Sequence, residues 1–298
     1  MRSWISSFLK INFNKENFVK IIKKLTVMVG TLYTLCTFID DIQIIDRNLV
    51  ELFSENFYKI LIVSLICSII SIMNFTLSYK MKIKDTDAYI TLKIGDIVKS
   101  KESLVISTNT SFVTTLENGV ISVKSVQGAF QEKFYKNNLE TLNREINASL
   151  KFSKYQPIGA LTVNKRKYNT YKIGTVAKIN NANRKVYFTA LNDINEYGKP
   201  INLHGDELIK TIGELLEFMK KQGHIEPLAI PLIGSGKLGD QKYSRNRVLM
   251  ELIDAFVCSA TNDKICDNII IYILPEDFEF VDLKKIKAYI NYKCNFNL

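Results

Sequence analysis

The sequence predicts an α/β domain with a mixed sheet, preceded by a two-helix transmembrane hairpin. Three observations carry that reading: two charge-free apolar runs near the N-terminus, an alternation of strand-like and helix-like segments after residue 85, and polar or glycine-rich loops directly behind the strand-like segments. The averages conceal this division. Across 298 residues, 47% hydrophobic and 23% charged residues with a mean hydropathy of +0.02 describe ordinary globular protein. That excludes a long disordered chain, a collagen-like repeat and a polytopic transporter.

Residues 25–39 (LTVMVGTLYTLCTFI) and 60–79 (ILIVSLICSIISIMNFTLSY) carry no charge. A 20-residue helix at about 1.5 Å per residue reaches roughly 30 Å, the thickness of a bilayer's hydrocarbon core. The first run becomes long enough when it starts at residue 21, with Lys23 and Lys24 snorkelling to the headgroups. The expected spans are therefore about 21–39 and 60–79, within an N-terminal module of residues 1–84. Arg2, Lys10, Lys15, Lys20, Lys23 and Lys24 precede the first run and Lys80, Lys82 and Lys84 follow the second, whereas the stretch between them carries Arg47 and Lys59 among five acids. This asymmetry predicts that both termini are cytoplasmic. A cleaved signal peptide would show an A-x-A-like site after Ile39, which is missing. Core helices would show an amphipathic stripe and a surface-lying helix a strongly polar face, and 60–79 has neither.

Five dispersed cysteines without a C-x-x-C pair read as free thiols in a reducing compartment. His204 and His224 are the only histidines, too few for a multi-histidine metal site, and both are expected at the surface.

Residues 85–298 suffice for one α/β domain. Residues 89–94 (YITLKI) and 103–108 (SLVIST) read as strands, 126–150 carries helical spacing, and 153–170 is turn-rich. Residues 174–179 and 185–191 are strand-like. Residues 203–221 form an amphipathic helix with Leu208, Ile212, Leu215, Leu216 and Met219 on one face, stopped by Gly223. A short strand at 228–233 (LAIPLI), a helix at 243–260, the apolar strand 268–274 (NIIIYIL) and a last helix from about Asp282 complete the series. Such alternation predicts a parallel or mixed sheet with helices on both faces.

Ligands of these folds bind beyond the carboxyl ends of the strands. Gly234-Ser235-Gly236-Lys237-Leu238-Gly239 stands there, behind LAIPLI. Its glycines suit either a diphosphate cradled by backbone N–H groups or a plain strand-to-helix turn. It is no triphosphate P-loop, because Asp240 and Gln241 follow the last glycine. Asn109, Thr110, Ser111 and Phe112 follow SLVIST, where a short polar group serves a ribose hydroxyl or a turn cap. Gly95-Asp96-Ile97 ends the first strand, and its carboxylate is either an acceptor for an adenine amino group or part of a turn.

In this order, GDI at 95–97, ISTNTSF at 106–112 and IPLIGSGKLG at 230–239 resemble a macro domain. Together with IGTVAKI at 173–179, YFTALN at 187–192 and the N-terminal hairpin, they are similar to the macro-domain effectors of Thoeris-type bacterial antiphage systems, in the version with two transmembrane helices. The resemblance implies a three-layer α/β/α macro fold and an ADP-ribose derivative as ligand. Asp96 and the Ile97 backbone would take the adenine, and Asn109, Thr110, Ser111 and Phe112 the distal ribose. Gly234, Ser235, Gly236, Lys237, Leu238 and Gly239 would hold the diphosphate, with Asn192 as a further pocket residue and Phe278 either near adenine or in the core. It also implies a TIR-domain, NAD-consuming partner that makes the signal, histidine-conjugated ADP-ribose in this subtype. Ligand-induced homo-oligomerisation of the spans would then disrupt the bacterial inner membrane.

Hydrolytic macro domains carry a glycine run and an acidic residue near the distal ribose. TTLENGV at 114–120 stands in that place here, so binding without catalysis is expected, with no metal, no cofactor and no catalytic residue. The rival readings are a membrane-tethered ADP-ribosylhydrolase using Glu117 and a membrane-anchored nucleic-acid binder. The net charge of +10 supports the latter little, because Lys165-Arg166-Lys167 is the one tight basic cluster and no nucleic-acid partner is expected.

Overall fold

The computed structural model describes residues 5, 8–9, 11–13, 15–42, 48–73, 77–201, 205–233, 244–262 and 265–296, with the side chains at 16, 205 and 206 excepted. The chain divides into two compact units, Met1–Leu77 and Ser78–Leu298.

In the first unit, α1 (Lys15–Ile42) is followed by α2 (Leu49–Glu55) and α3 (Phe57–Ile72). Asp40 anchors the start of α2: its carboxylate accepts from Leu49 N and Val50 N at 2.9 and 2.8 Å. A carboxylate there also meets the positive end of the helix dipole. Ser64 and Ser68 are buried, and Ser68 Oγ donates to Met28 Sδ of α1 at 3.6 Å. Small hydroxylated side chains of this kind let two helices approach closely.

Over Asn17–Ile42, α1 is long and apolar enough to cross a membrane, and none of its apolar window is buried. The second expected span, 60–79, is not one straight helix. α3 ends at Ile72, so its 16 residues reach only about 24 Å. Asn56 separates it from α2, and the pair is bent by 78°. At the other end, Ser78 and Tyr79 leave the helical run because they pair with Lys93 and Leu92 in the sheet. For the same reason the boundary between units falls after Leu77 rather than after residue 84.

The second unit is built on a mixed sheet. Its strands are β1 (Ser78–Lys82), β2 (Tyr89–Ile94), β3 (Ser103–Asn109), β6 (Val176–Asn181), β7 (Arg184–Ile194), β8 (Pro200–Ile201), β9 (Leu228–Pro231) and β10 (Asn268–Ile273). They lie in the order β1-β2-β10-β9-β3-β7-β6, with β8 paired to β7. Neighbours from β2 through β7 are parallel, whereas β1, β6 and β8 are antiparallel additions. β10 (NIIIYI) lies between parallel neighbours and is apolar on both faces, as a strand covered by helices on either side requires.

Side chains alternate across the sheet. Phe188 meets Phe130 of α4 (Val126–Phe134) at 5.8 Å, on the face also packed by Leu142, Ile146 and Leu150 of α5 (Leu139–Phe152). Tyr187 faces the other way, 6.3 Å from Phe218 of α6 (Gly205–Lys221). Leu249, Leu252, Ile253 and Phe256 of α7 (Arg245–Asn262) and Ile286 and Ile290 of α8 (Leu283–Phe296) are buried as well. The three-layer α/β/α arrangement results.

Two local expectations are corrected. The helix expected over 126–150 is two helices, because Asn138 caps a second start by accepting from Thr141 N at 3.3 Å. The turn-rich stretch 153–170 contains a separate antiparallel hairpin, β4 (Gly159–Val163) and β5 (Arg166–Thr170). Asn164 and Lys165 at its tip both take positive φ, 46° and 63°, the two-residue hairpin turn that matches strand twist.

His224 is buried rather than superficial; His204 lies outside the described residues. The His224 ring packs edge-on against Tyr187, and its Nδ1 stands 2.9 Å from Tyr187 Oη and 3.1 Å from Glu226. Burial holds its pKa below 6.5, assisted by Lys185 and Lys178 and opposed by Glu226. A lowered folded-state pKa means the unfolded chain binds the proton first. Stability from this site is complete above about pH 6.5 and is lost as pH falls toward the folded-state pKa. Glu226, whose own pKa is lowered chiefly by Lys185, stays ionised in that range. The thermal midpoint should fall between pH 7.5 and 5.5, and His224→Gln should flatten that dependence. Equal slopes in both proteins would contradict this assignment.

Candidate functional site

The parallel strands β2, β10, β9, β3 and β7 all end at the same edge of the sheet. The loops leaving these strands are therefore brought onto one ridge. Asp96 follows β2 and caps a short 3-10 turn, accepting from Val98 N at 3.0 Å. Its other oxygen lies 3.9 Å from Lys99 Nζ in an exposed pair, worth little in stability. A carboxylate has about four lone-pair sites, so capping leaves acceptor capacity at the edge. The Ile97 side chain points into the core at 1% exposure, leaving only its backbone for the ridge.

The loop behind β3 is the most tightly built part of the ridge. Asn109 is buried, and its Oδ1 accepts from Ser111 N and Val113 N at 3.1 Å each, while Phe112 N donates to Asn109 O at 3.0 Å. Its carbonyl is committed to the loop, and the amide nitrogen is the group left to donate elsewhere. Phe112 takes a positive φ of 49°, uncommon for an aromatic residue, and is held by edge-on packing with Tyr171 at 5.9 Å. Thr110 N donates to Asn192 O at 2.9 Å, Thr110 Oγ1 to Asp193 Oδ1 at 2.5 Å, and Tyr171 N to Thr110 O at 3.0 Å. Ser111 Oγ lies 3.0 Å from Thr170 Oγ1.

Asn192 is level with Asn109, one residue past a register shift. β7 runs on to Ile194, so Asn192 lies inside the strand rather than at its end, and its Nδ2 donates to Asp193 O at 2.8 Å. From the opposite side, Gln127 and Gln131 of α4 donate to Val113 O and Thr114 O at 3.0 and 2.6 Å. Thr114 Oγ1 donates to Asn143 of α5 at 2.6 Å. The sequence pattern does not single out Gln127, Gln131, Asn143, Tyr171 or Asp193. Two glutamines four residues apart on the helix behind the loop were the available signal, since they share a face.

Gly234, Ser235, Gly236, Lys237, Leu238 and Gly239 lie outside the described residues. Their flanks are placed: Leu232 and Ile233 are buried behind β9, and α7 begins at Arg245. Phe278 is buried at 3% exposure. Glu117 is exposed on the turn Glu117–Gly119, where Asn118 Nδ2 lies 3.4 Å from Asn164 of the hairpin tip.

The fold is that of a macrodomain. An aspartate-to-alanine variant of the Oceanobacillus iheyensis macrodomain is similar with a TM-score of 0.50 at 17% identity, over 72% of this chain and 98% of that one. The same macrodomain with MES bound gives 0.49 at 15% identity, over 72% and 99%. The macrodomain of Thermus aquaticus DarG gives 0.39 at 13% identity, over 62% and 99%. No curated protein matches the chain. The family model described as the macro domain of the Thoeris protein ThsA matches residues 90–274, and this chain belongs to that family.

Proposed function

We propose that this protein is a Thoeris antiphage effector whose macro domain binds an ADP-ribose derivative along the carboxyl edge of the sheet. Strand order is the observation that carries the reading. Asp96 and the Asn109 loop follow strands separated by three steps, roughly 14 Å at about 4.8 Å per step. The glycine-rich segment 234–239 follows β9, which lies between those strands. An elongated ligand with a base at one end, an anionic middle and a sugar at the other suits that sequence of groups. The TIR-domain partner supplies the ligand, with histidine–ADP-ribose as the leading form. Binding drives self-association of the N-terminal helices at the bacterial inner membrane and breaches it.

Two features of the first unit support the membrane part: the exposed apolar surface of α1, and the hydroxylated contact between α1 and α3. Ligand shifts the protein to the clustered state only by its differential affinity for that state. Calorimetric titration of the full chain in detergent should give heat with ADP-ribose or histidine–ADP-ribose. Silence with both overturns the sensor reading. In vesicles carrying the full chain, saturating ligand should release an entrapped dye, and intact vesicles would refute the effector step.

A further inference from the structure

An open cavity of about 730 Å³ lies beside the Asn109 loop, lined by α5, the segment after it and the β4–β5 hairpin. It shares Ser111 and Phe112 with that loop, but neither Asp96, Asn109 nor Asn192 lines it. Its volume falls inside the range of about 300–1,000 Å³ usual for small-molecule sites. On one wall, Asn143, Asn147 and Lys151 recur at four-residue spacing and share a face of α5. The opposite wall is β5, fixed to the loop by the Ser111–Thr170 contact.

The chemistry of the lining is one-sided. It contains Lys151, Lys154, Arg166 and Lys167 and no acidic residue. Arg166 pairs with Glu140 at 3.0 Å, while Lys151, Lys154 and Lys167 have no ion-pair partner among the described residues. Tyr155, Tyr168 and Tyr171 supply aromatic walls, and Asn143, Asn147 and Asn169 supply amides. Phe112 and Lys154 both line the cavity with positive φ, 49° and 58°. Held backbone strain of that kind gathers at ligand clamps.

We infer that this cavity is a second ligand site, for a small anionic molecule carrying a planar ring, of the mononucleotide class. Three cations without acidic partners among the described residues answer the anion, the tyrosine rings take the flat base, and the amides meet its polar edge. An occupant would touch Ser111 and Phe112, in the loop that Asn109 opens.

The test is titration of AMP into the full chain in detergent, for wild type and Lys151→Glu/Lys167→Glu, with hydrogen exchange locating the bound AMP. Both lysines are exposed, and circular dichroism checks that their reversal keeps the fold. The expected result is AMP binding that falls at least tenfold on charge reversal and, in wild type, slows exchange in peptides covering 151–168. The proposal is overturned by no AMP binding to wild type, by unchanged affinity in the charge-reversed protein, or by slowing confined to peptides covering 95–98 and 232–245.

Discussion

Replacing Asn109 by alanine is expected to remove ligand binding and about 3 kcal/mol of stability together. The side chain is buried and satisfies two backbone donors, Ser111 N and Val113 N. Each donor left without a partner costs roughly 1–3 kcal/mol, discounted here because a loosened loop admits water. Asn109→Asp separates the two effects. An aspartate retains the acceptor and keeps the loop, so its thermal midpoint should stay close to that of wild type. It loses the amide donor and sets a negative charge beside the proposed ligand, whose diphosphate is anionic. At a separation of roughly 6 Å and an effective dielectric near 20, that repulsion is about 3 kcal/mol, on the order of a hundredfold in Kd. Paired calorimetry and thermal melts check both. An Asn109→Asp protein that binds ADP-ribose like wild type would remove Asn109 from the site.

Gly128→Ala should cost about 3 kcal/mol or more. A Cβ at this position would lie 2.1 Å from Ser122 O, 2.7 Å from Ser122 C and 2.8 Å from Val123 Cα. All three are backbone atoms, so no rotamer change relieves the clash. Hydrogen bonds hold the chain tight there: Ser125 Oγ accepts from Gly128 N at 3.0 Å and donates to Ser122 O at 2.6 Å. Displacing this turn also moves Gln127 and Gln131, which tie α4 to the Asn109 loop. Gly159→Ala is the control, since nothing lies within 4 Å of its added methyl group, and it should change stability by no more than about 0.5 kcal/mol. Urea unfolding of the two variants compares them directly. A Gly128→Ala protein as stable as the control would contradict the packing described for this turn.

Much of the sheet was legible because its strands are locally decisive. YITLKI and NIIIYI, apolar and rich in β-branched residues, form β2 and β10 where expected. β1 was not legible. SYKMK alternates with lysines, pairs with one neighbour only and lies beyond an apolar run that hides its start. Lysine on an edge strand guards against further pairing but weakens the strand signal. The β4–β5 hairpin turns through Asn164-Lys165 rather than Asn-Gly, so the strongest short-range hairpin cue is missing.

At the site, Asn109 to Phe112 were readable as polar residues behind a strand. Their partners were not, because Asp193, Tyr171, Gln127 and Gln131 meet the loop only once β7, β5 and α4 have packed. The second expected span is a similar case: composition alone reads 60–79 as one span, whereas the helix ends at Ile72 and the sheet claims Ser78 and Tyr79.

Hydrogen exchange along the full chain, with and without ADP-ribose, tests the central claim most directly. Ligand at the strand edge should slow exchange in peptides covering 95–98, 109–113 and 232–245, and leave 151–168 unchanged. Slowing confined to 151–168, or none anywhere in the macro domain, would contradict it.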